Sequence, residues 1–185
     1  MMTSFTAVDS VPDEVGSVHA RAALEQRFER ILASNRFALA RLAGGYTDSA
    51  SDRDDLLQDI AMSIWQALPG FRGECSERTF VFRIAHNRAI TYLTRNRSRL
   101  AMPDEPELAD NGLNPEAALV LEERGNRLAR ADRALPIPYR QVVLLTLEEM
   151  EYNEIALVLG ISESNVGVRL SRARQMLRRI MEGQK

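Results

Sequence analysis

Tyr152–Ser171 reads YNEIALVLGISESNVGVRLS, and its spacing decides how the C-terminal part of the chain folds. A helix-turn-helix needs a small residue where two helices cross, a residue tolerant of positive φ in the turn, and a buried aliphatic on the second helix. Ala156, Gly160 and Val166 stand at relative positions five, nine and fifteen of this twenty-residue unit. Ile155, Leu159, Ile161 and Leu170 fill the other apolar slots. Ser162 is placed to cap the second helix, with Glu163 at its positive end. The bland alternative is a plain helical hairpin, which explains the apolar pattern but not the turn chemistry.

A second helix of this kind enters the major groove by its N-terminal half. Ser162, Glu163, Ser164, Asn165, Gly167, Val168, Ser171 and Arg172 then face outward between Val166 and Leu170. Arg172 can pair bidentately with guanine, and Asn165 with adenine. Arg169, Arg174, Arg178 and Arg179 suit phosphates, or acids of their own domain. From Arg169 to Lys185 there are six basic residues and one acid, Glu182. This local field is positive although the formal net charge of the 185-residue chain is −2. A near-neutral total argues against coating nucleic acid by bulk charge, but not against a basic face. Of the 24 basic residues 23 are Arg. Arg suits phosphate and base contacts, yet biased composition explains the excess first.

Upstream, helical periodicity dominates and strand alternation is scarce. A helix is expected from His19 to about Ala43 on Leu24, Phe28, Ile31, Leu32, Leu39 and Leu42. GGYTDSAS breaks it. Ser51 or Asp52 is expected to cap the next helix, which carries Leu56, Leu57, Ile60, Ile64, Trp65 and Leu68 and stops at Pro69-Gly70. A third helix is expected from about Glu77 to Arg97 on Phe80, Val81, Ile84, Ala85, Ile90 and Leu93. After Arg99 comes MPDEPELADNGLNPE, with three prolines, five acids and no base, an extended acidic linker. A helix from about Pro115 to Ala134 follows, and another begins with Pro138 near its first turn.

The expected fold is therefore all-α: two small helical domains joined by an acidic flexible linker, the second containing the helix-turn-helix. The expected divisions are a disordered leader 1–18, a helical domain 19–99, a linker 100–116 and a second domain 117–185. The leader has neither a basic n-region nor an apolar h-region, so it does not read as a secretory signal. No apolar run approaches the roughly 20 residues needed to span a bilayer, so no membrane insertion is expected. The single cysteine, Cys75, allows no intramolecular disulfide and no thiolate metal cage, and fits a reducing cytoplasm.

The first domain divides its charge. Asp54, Asp55, Gln58 and Asp59 form an acidic edge beside an apolar ridge. Such an edge suits a basic protein partner and repels DNA; as pattern alone it equally suits a solvated helix face. From Arg72 to Arg99 there are instead seven arginines and two acids, interleaved with Phe71, Phe80, Phe82 and Tyr92. Arginine with aromatic faces is the chemistry of single-strand binding: charges track phosphates and rings stack on unpaired bases. The competing reading makes the phenylalanines core, and for Phe80 it is the better one. The loop Arg72–Ser76 could pocket an extruded base.

Taken together and in this order, DDLLQDIAMSIWQALPGFRG, RTFVFRIAHNRAITYL, RNRSR and LPIPYRQVVLLTLEEMEYNEIALVLGISESNVGVRLSRARQML resemble the extracytoplasmic-function (ECF) sigma factors of bacterial RNA polymerase. The resemblance runs from about Leu24 to about Met181. It implies a bacterial transcription-initiation factor that binds core polymerase and directs promoter-specific transcription, reading the −10 element as melted strand and the −35 element as duplex. It implies that Asp54, Asp55, Gln58 and Asp59, with Trp65 nearby, dock on the polymerase clamp helices, and that the flap is a second polymerase contact. Arg72, Gly73, Glu74, Cys75 and Ser76 would capture an unpaired −10 base, and Arg83, Asn87, Arg88, Tyr92 and Arg95 would hold the strand. Ser164, Asn165, Gly167, Val168, Arg169, Ser171 and Arg172 would meet the −35 element. The acidic linker would thread toward the RNA path. An anti-sigma factor is a further partner the resemblance admits. Three positions depart from the family pattern: Glu77 where an apolar residue is common, Phe80 where Trp is common, and Gly167 where Lys or Arg is common.

Two other classes are weighed. A stand-alone helix-turn-helix regulator explains the C-terminal half but not the acidic edge beside a basic-aromatic helix. An enzyme is disfavoured: no Gly-rich phosphate loop, H-E-x-x-H or clustered Cys/His site appears, and neither a catalytic residue, a metal nor a cofactor is expected. His86, mid-helix in IAHNRA, reads as a surface or DNA-facing residue.

Overall fold

The computed structural model describes residues 14–100 and 134–182, and their regular structure is entirely helical. The helices are α1 (Glu14–Gly44), α2 (Ala50–Ala67), α3 (Glu77–Leu100), α4 (Ile137–Leu147), α5 (Tyr152–Leu159) and α6 (Glu163–Glu182).

 A one-turn 3-10 helix, Leu68–Gly70, closes α2. The acidic linker, most of the helix expected before Ala134, the first thirteen residues and the side chains of Arg97 and Arg99 lie outside the described residues.

The helices pack in two groups. In the first, Ile31, Leu39 and Leu42 of α1 meet Leu56, Ile60 and Ile64 of α2 and Val81, Phe82, Ala85 and Ala89 of α3, all buried. In the second, Val142 and Leu145 of α4 meet Ile155 of α5 and Val166, Leu170 and Ala173 of α6. Removing these side chains from water is the main favourable term in each group. The groups also dock on each other along α3 and α5, so their buried residues form one continuous cluster.

Local chemistry sets the helix ends. Helix α1 begins at Glu14 rather than His19; Val18 to Ala23 are exposed, so apolar spacing could not mark where it starts. Helix α2 is capped by Ser49, not by Ser51 or Asp52: Ser49 Oγ accepts from Asp52 N at 3.0 Å and donates to the Asp52 carboxylate at 2.7 Å. That leaves Asp52 in the first turn, where a negative charge suits the helix dipole. Ser76 Oγ caps α3 by accepting from Thr79 N at 3.0 Å. Ser162 Oγ accepts from Asn165 N at 3.3 Å, as the helix-turn-helix reading requires. Gly160 is left-handed (φ 65°, ψ 37°) and ends α5. After α4 the same turn is made by a non-glycine, Glu149, at φ 58°.

The structure corrects the reading of His86. It is 3% exposed, with Tyr46 Oη 3.3 Å from its Nδ1 and no hydrogen-bond partner at Nε2. Burial holds its pKa down at about 4, below the ordinary 6.5. Burial also pushes the Tyr46 phenol up, and the Arg140 guanidinium lies 6.0 Å over the Tyr46 ring.

Two outcomes follow. A side chain in the left-handed region costs roughly 1–2 kcal/mol. Gly160→Ala therefore lowers unfolding free energy in urea by about 1 kcal/mol, and Glu149→Gly raises it by about as much. Because His86 titrates lower in the folded chain, the unfolded chain binds a proton that the folded chain refuses between pH 6.5 and about 4. Stability is thus full above pH 6.5 and falls by on the order of 3 kcal/mol as pH drops toward 4. In His86→Gln this part of the pH dependence disappears from urea titrations at matched pH values.

Candidate nucleic-acid interface

The outward face of α6 is built as the sequence suggests. Val166, Leu170 and Ala173 are buried, and Ser164, Asn165, Val168, Ser171 and Arg172 are exposed. Ser164, Val168, Ser171 and Arg172 fall on one stripe because residues three and four apart share a helix face. Gly167 is half-buried. Arg169 is half-buried too and donates from Nε to Asn165 Oδ1 at 3.0 Å, so it orients the carboxamide in addition to supplying charge. Arg174, Arg178 and Arg179 are exposed. The face is therefore polar and cationic, with a preformed framework beneath it.

The acidic edge of α2 is exposed at Asp54, Asp55 and Gln58 and half-buried at Asp59. Arg53 lies 3.5 Å from Asp54. Trp65 is half-buried, its ring edge-on to Phe28 at 5.2 Å, so it is as much a packing residue as a surface one. Asp52, Asp55 and Asp59 line one groove with Tyr92, Arg95 and Asn96 of α3. Two sets of residues that the sequence assigns to different tasks thus share a surface. The Tyr92 phenol is pushed up to about 12, chiefly by burial and then by the charge of Asp52 and a hydrogen bond to it.

The loop between α2 and α3 is braced from both sides. Phe71 stacks on Phe80, ring centres 4.4 Å apart. The Arg27 guanidinium sits 5.2 Å over Phe71 and pairs with Glu77 at 2.7 Å. This accounts for two departures from the family pattern: Glu77 anchors α1 to α3, and Phe80 packs on Phe71. Between these braces Arg72, Gly73 and Glu74 are exposed, Cys75 is half-buried, and Gly73 takes φ 78°.

The rest of the α3 face meets α5, and here the structure shows what sequence spacing missed. Glu148 is 5% exposed, and Arg41 donates to both its carboxylate oxygens at 2.7 Å. Arg78 donates to the Glu148 carbonyl. Glu154 uses one oxygen to accept from Glu151 N at 3.1 Å, capping α5. Its other oxygen accepts from Thr79 Oγ1 at 3.3 Å and Ser76 Oγ at 3.4 Å, at the start of α3. Arg83 donates to the Leu157 carbonyl from Nε at 3.2 Å and Nη2 at 2.9 Å. Asn87 and His86 border a cavity also lined by Gln141, Val158 and Leu159. Ser76 and Arg83 are therefore exposed but engaged by the second helical group; Arg72 and Arg95 are exposed and Arg88 is half-buried. The ten residues singled out for a melted strand do not converge in one pocket in this arrangement.

Among the described residues, no group of three His, Cys, Asp or Glu side chains could hold a metal ion, and no helix is long and apolar enough to cross a membrane.

Comparison with known proteins gives a consistent result. Residues 31–99 match the family described as Sigma-70 region 2, and residues 126–177 match Sigma-70, region 4. Together these cover more than half of the chain. The chain is 27% identical to the ECF RNA polymerase sigma-E factor of Escherichia coli (strain K12), over 91% of this chain and 94% of that protein. It is 27% identical to the RNA polymerase sigma factor CnrH of Cupriavidus metallidurans, over 92% of this chain and 94% of that one. Among solved structures, CnrH in complex with the cytosolic domain of CnrY superposes with a TM-score of 0.68 at 26% identity, covering 94% of this chain and 99% of that one. The sigma factor RpoE of Bartonella quintana, solved with the anti-sigma factor NepR, gives a TM-score of 0.69 at 20% identity over 86% of this chain and 99% of that one, a likeness of fold. A region 2 group carrying the acidic α2 and the arginine-rich α3, followed by a region 4 helix-turn-helix, makes this chain a member of the ECF sigma factor family.

Proposed function

We propose that this chain works as a promoter-specific initiation factor in the cytoplasm, with one surface for core polymerase and two for promoter DNA, and with no catalysis of its own. One observation carries this reading: an acidic edge on α2 and a cationic recognition face on α6 are both exposed in a single chain. The acidic edge repels DNA and suits a basic protein surface; the cationic face does the reverse. A stand-alone regulator accounts for α5 and α6 but gives the acidic edge no task.

Asp54, Asp55, Gln58 and Asp59 dock on the polymerase clamp helices, with Trp65 supporting the ridge behind them. The second helical group meets the flap. Arg172 pairs with guanine in the −35 duplex, Asn165 reads an adjoining base, and the arginines flanking α6 neutralise phosphates. Arg72 to Cys75, held open by the Phe71–Phe80 and Arg27–Glu77 braces, receive an unpaired −10 base, while Arg88, Tyr92 and Arg95 follow the strand.

Arg83 and Ser76 are exposed but bonded to α5, and they are freed for DNA when α5 leaves α3. Polymerase binding therefore separates the two groups, exchanging the contacts of Glu148, Glu154 and Leu157 for contacts to polymerase and DNA. The acidic linker 100–116 supplies the length for that separation. The similarity to CnrH, solved with the cytosolic domain of CnrY, supports an anti-sigma protein as a second partner.

Run-off transcription with core polymerase tests the reading. The chain with core yields a product of defined start from its own genome, and the absence of any promoter-specific product contradicts the function. Asp55→Arg with Asp59→Arg lowers affinity for core in fluorescence anisotropy at least tenfold and leaves the circular dichroism spectrum unchanged. Arg172→Ala weakens binding of core plus chain to a −35 duplex by roughly 1–3 kcal/mol.

A further inference from the structure

Gly167 lies in the interior of α6, where glycine lowers helix propensity. Its backbone does not require glycine: among the described residues only Gly73, Gly160 and Glu149 have positive φ. What its missing side chain provides is space. A Cβ at this position meets Tyr152 Cε2 at 3.7 Å, so the ring of Tyr152, from the first residue of α5, lies over the bare backbone of α6. Tyr152 is 43% exposed, and the next residue on α6, Val168, is 47% exposed. Tyr152, Gly167 and Val168 thus form a small apolar shelf on a face otherwise made of Ser164, Asn165, Ser171 and Arg172. The cations of α6 nearest in sequence are directed elsewhere: Arg169 is turned to Asn165, and Arg172 is one turn farther on.

In the major groove each base edge presents a different surface, and only thymine presents an apolar one, its C5-methyl group. Guanine, adenine and cytosine present polar atoms there, which an aliphatic side chain desolvates without pairing. The geometry points to a thymine-methyl reading site formed by Val168 on the shelf made by Tyr152 and Gly167, a specificity device in place of a basic side chain at 167. This inference rests on the proposal that α6 reads the −35 duplex. Val168 and Arg172 are separated by about 6 Å along the helix axis, roughly two base-pair steps of 3.4 Å. The thymine therefore lies within two base pairs of the guanine read by Arg172. Tyr152 is a positioning residue, because its ring walls the shelf and the valine meets the methyl.

The test uses full-length chain bound to core polymerase and a promoter selected by that complex from DNA randomised across the −35 region. Each thymine of the selected −35 element is replaced singly by deoxyuridine, which removes only the C5-methyl group, and dissociation constants are compared. One replacement, within two base pairs of the guanine whose substitution matters least in Arg172→Ala, weakens binding about fourfold, the worth of one buried methyl-sized group. In Val168→Ala the thymine and deoxyuridine duplexes bind within a factor of two of each other, with Arg172 dependence retained. Gly167→Arg, which fills the shelf, also loses the discrimination. The inference is overturned by equal binding at every thymine, by a selected element with no thymine in that window, or by discrimination that persists in Val168→Ala. Loss of any −35 preference in the unmodified complex overturns instead the underlying proposal that α6 reads this element, so the two failures are distinguishable.

Discussion

Glu148 is a carboxylate taken out of water at the junction of two helical groups, and that position constrains much of what surrounds it. A buried carboxylate is costly unless a cation and hydrogen bonds replace its water. Arg41, more than a hundred residues earlier, supplies both in a bidentate pair. The carbonyl of Glu148 is met in turn by Arg78 of α3. The left-handed turn at Glu149 redirects the chain after α4, and α5 starts three residues later. From there Glu154 and the Leu157 carbonyl take up Thr79, Ser76 and Arg83. The junction is charge-assisted at these points and apolar between them, where the Leu144 side chain lies on Gly45 and Val158 lies beside His86. Its polar contacts can be exchanged for other polar partners, whereas a wide, purely apolar junction commits two groups to each other.

That exchangeability connects the docked arrangement to the work of a sigma factor. The α3 face carries arginines suited to phosphates, and on the proposed function backbone carbonyls of the second group take the place of phosphate oxygens in the docked chain. Arg83 on the Leu157 carbonyl and Arg78 on the Glu148 carbonyl are such substitutions. The recognition face of α6 and the acidic edge of α2 are exposed in the same arrangement. On the proposed function, duplex recognition and polymerase docking can begin before the junction opens, and strand capture is completed when Ser76 and Arg83 exchange their bonds to α5 for bonds to DNA.

The helix-turn-helix was legible in the sequence because its constraints are local. Ala156, Gly160 and Val166 each answer to a neighbour a few residues away, and Gly160 adopts the left-handed turn that its position demanded. The three helices of the first group were legible from apolar spacing, since each buries one stripe. The junction was not legible. Arg41, Glu148 and Arg83 are charged residues on helices with ordinary solvated faces, and only a partner distant in sequence makes one of them buried. His86 was misread for the same reason. Its neighbours Asn87 and Arg88 suggest a surface, while its burial depends on Tyr46 and the docked second group. Glu77 and Phe80 depart from the family pattern where Arg27 and Phe71 lie against them, and the cap at Ser49 competes in the sequence with two later residues that also fit one.

The claim that docking and strand capture compete for the α3 face is tested most directly by the distance between the two groups. Spin labels at Gln66→Cys on α2 and Gln175→Cys on α6, in a Cys75→Ser background, report it by pulsed dipolar spectroscopy. The free chain should give one short, narrow distribution, which Arg41→Ala broadens toward longer distances. Binding to core polymerase and promoter should replace the short distance with a longer one. A distribution that stays short in a complex competent for initiation would contradict the exchange of the junction for DNA.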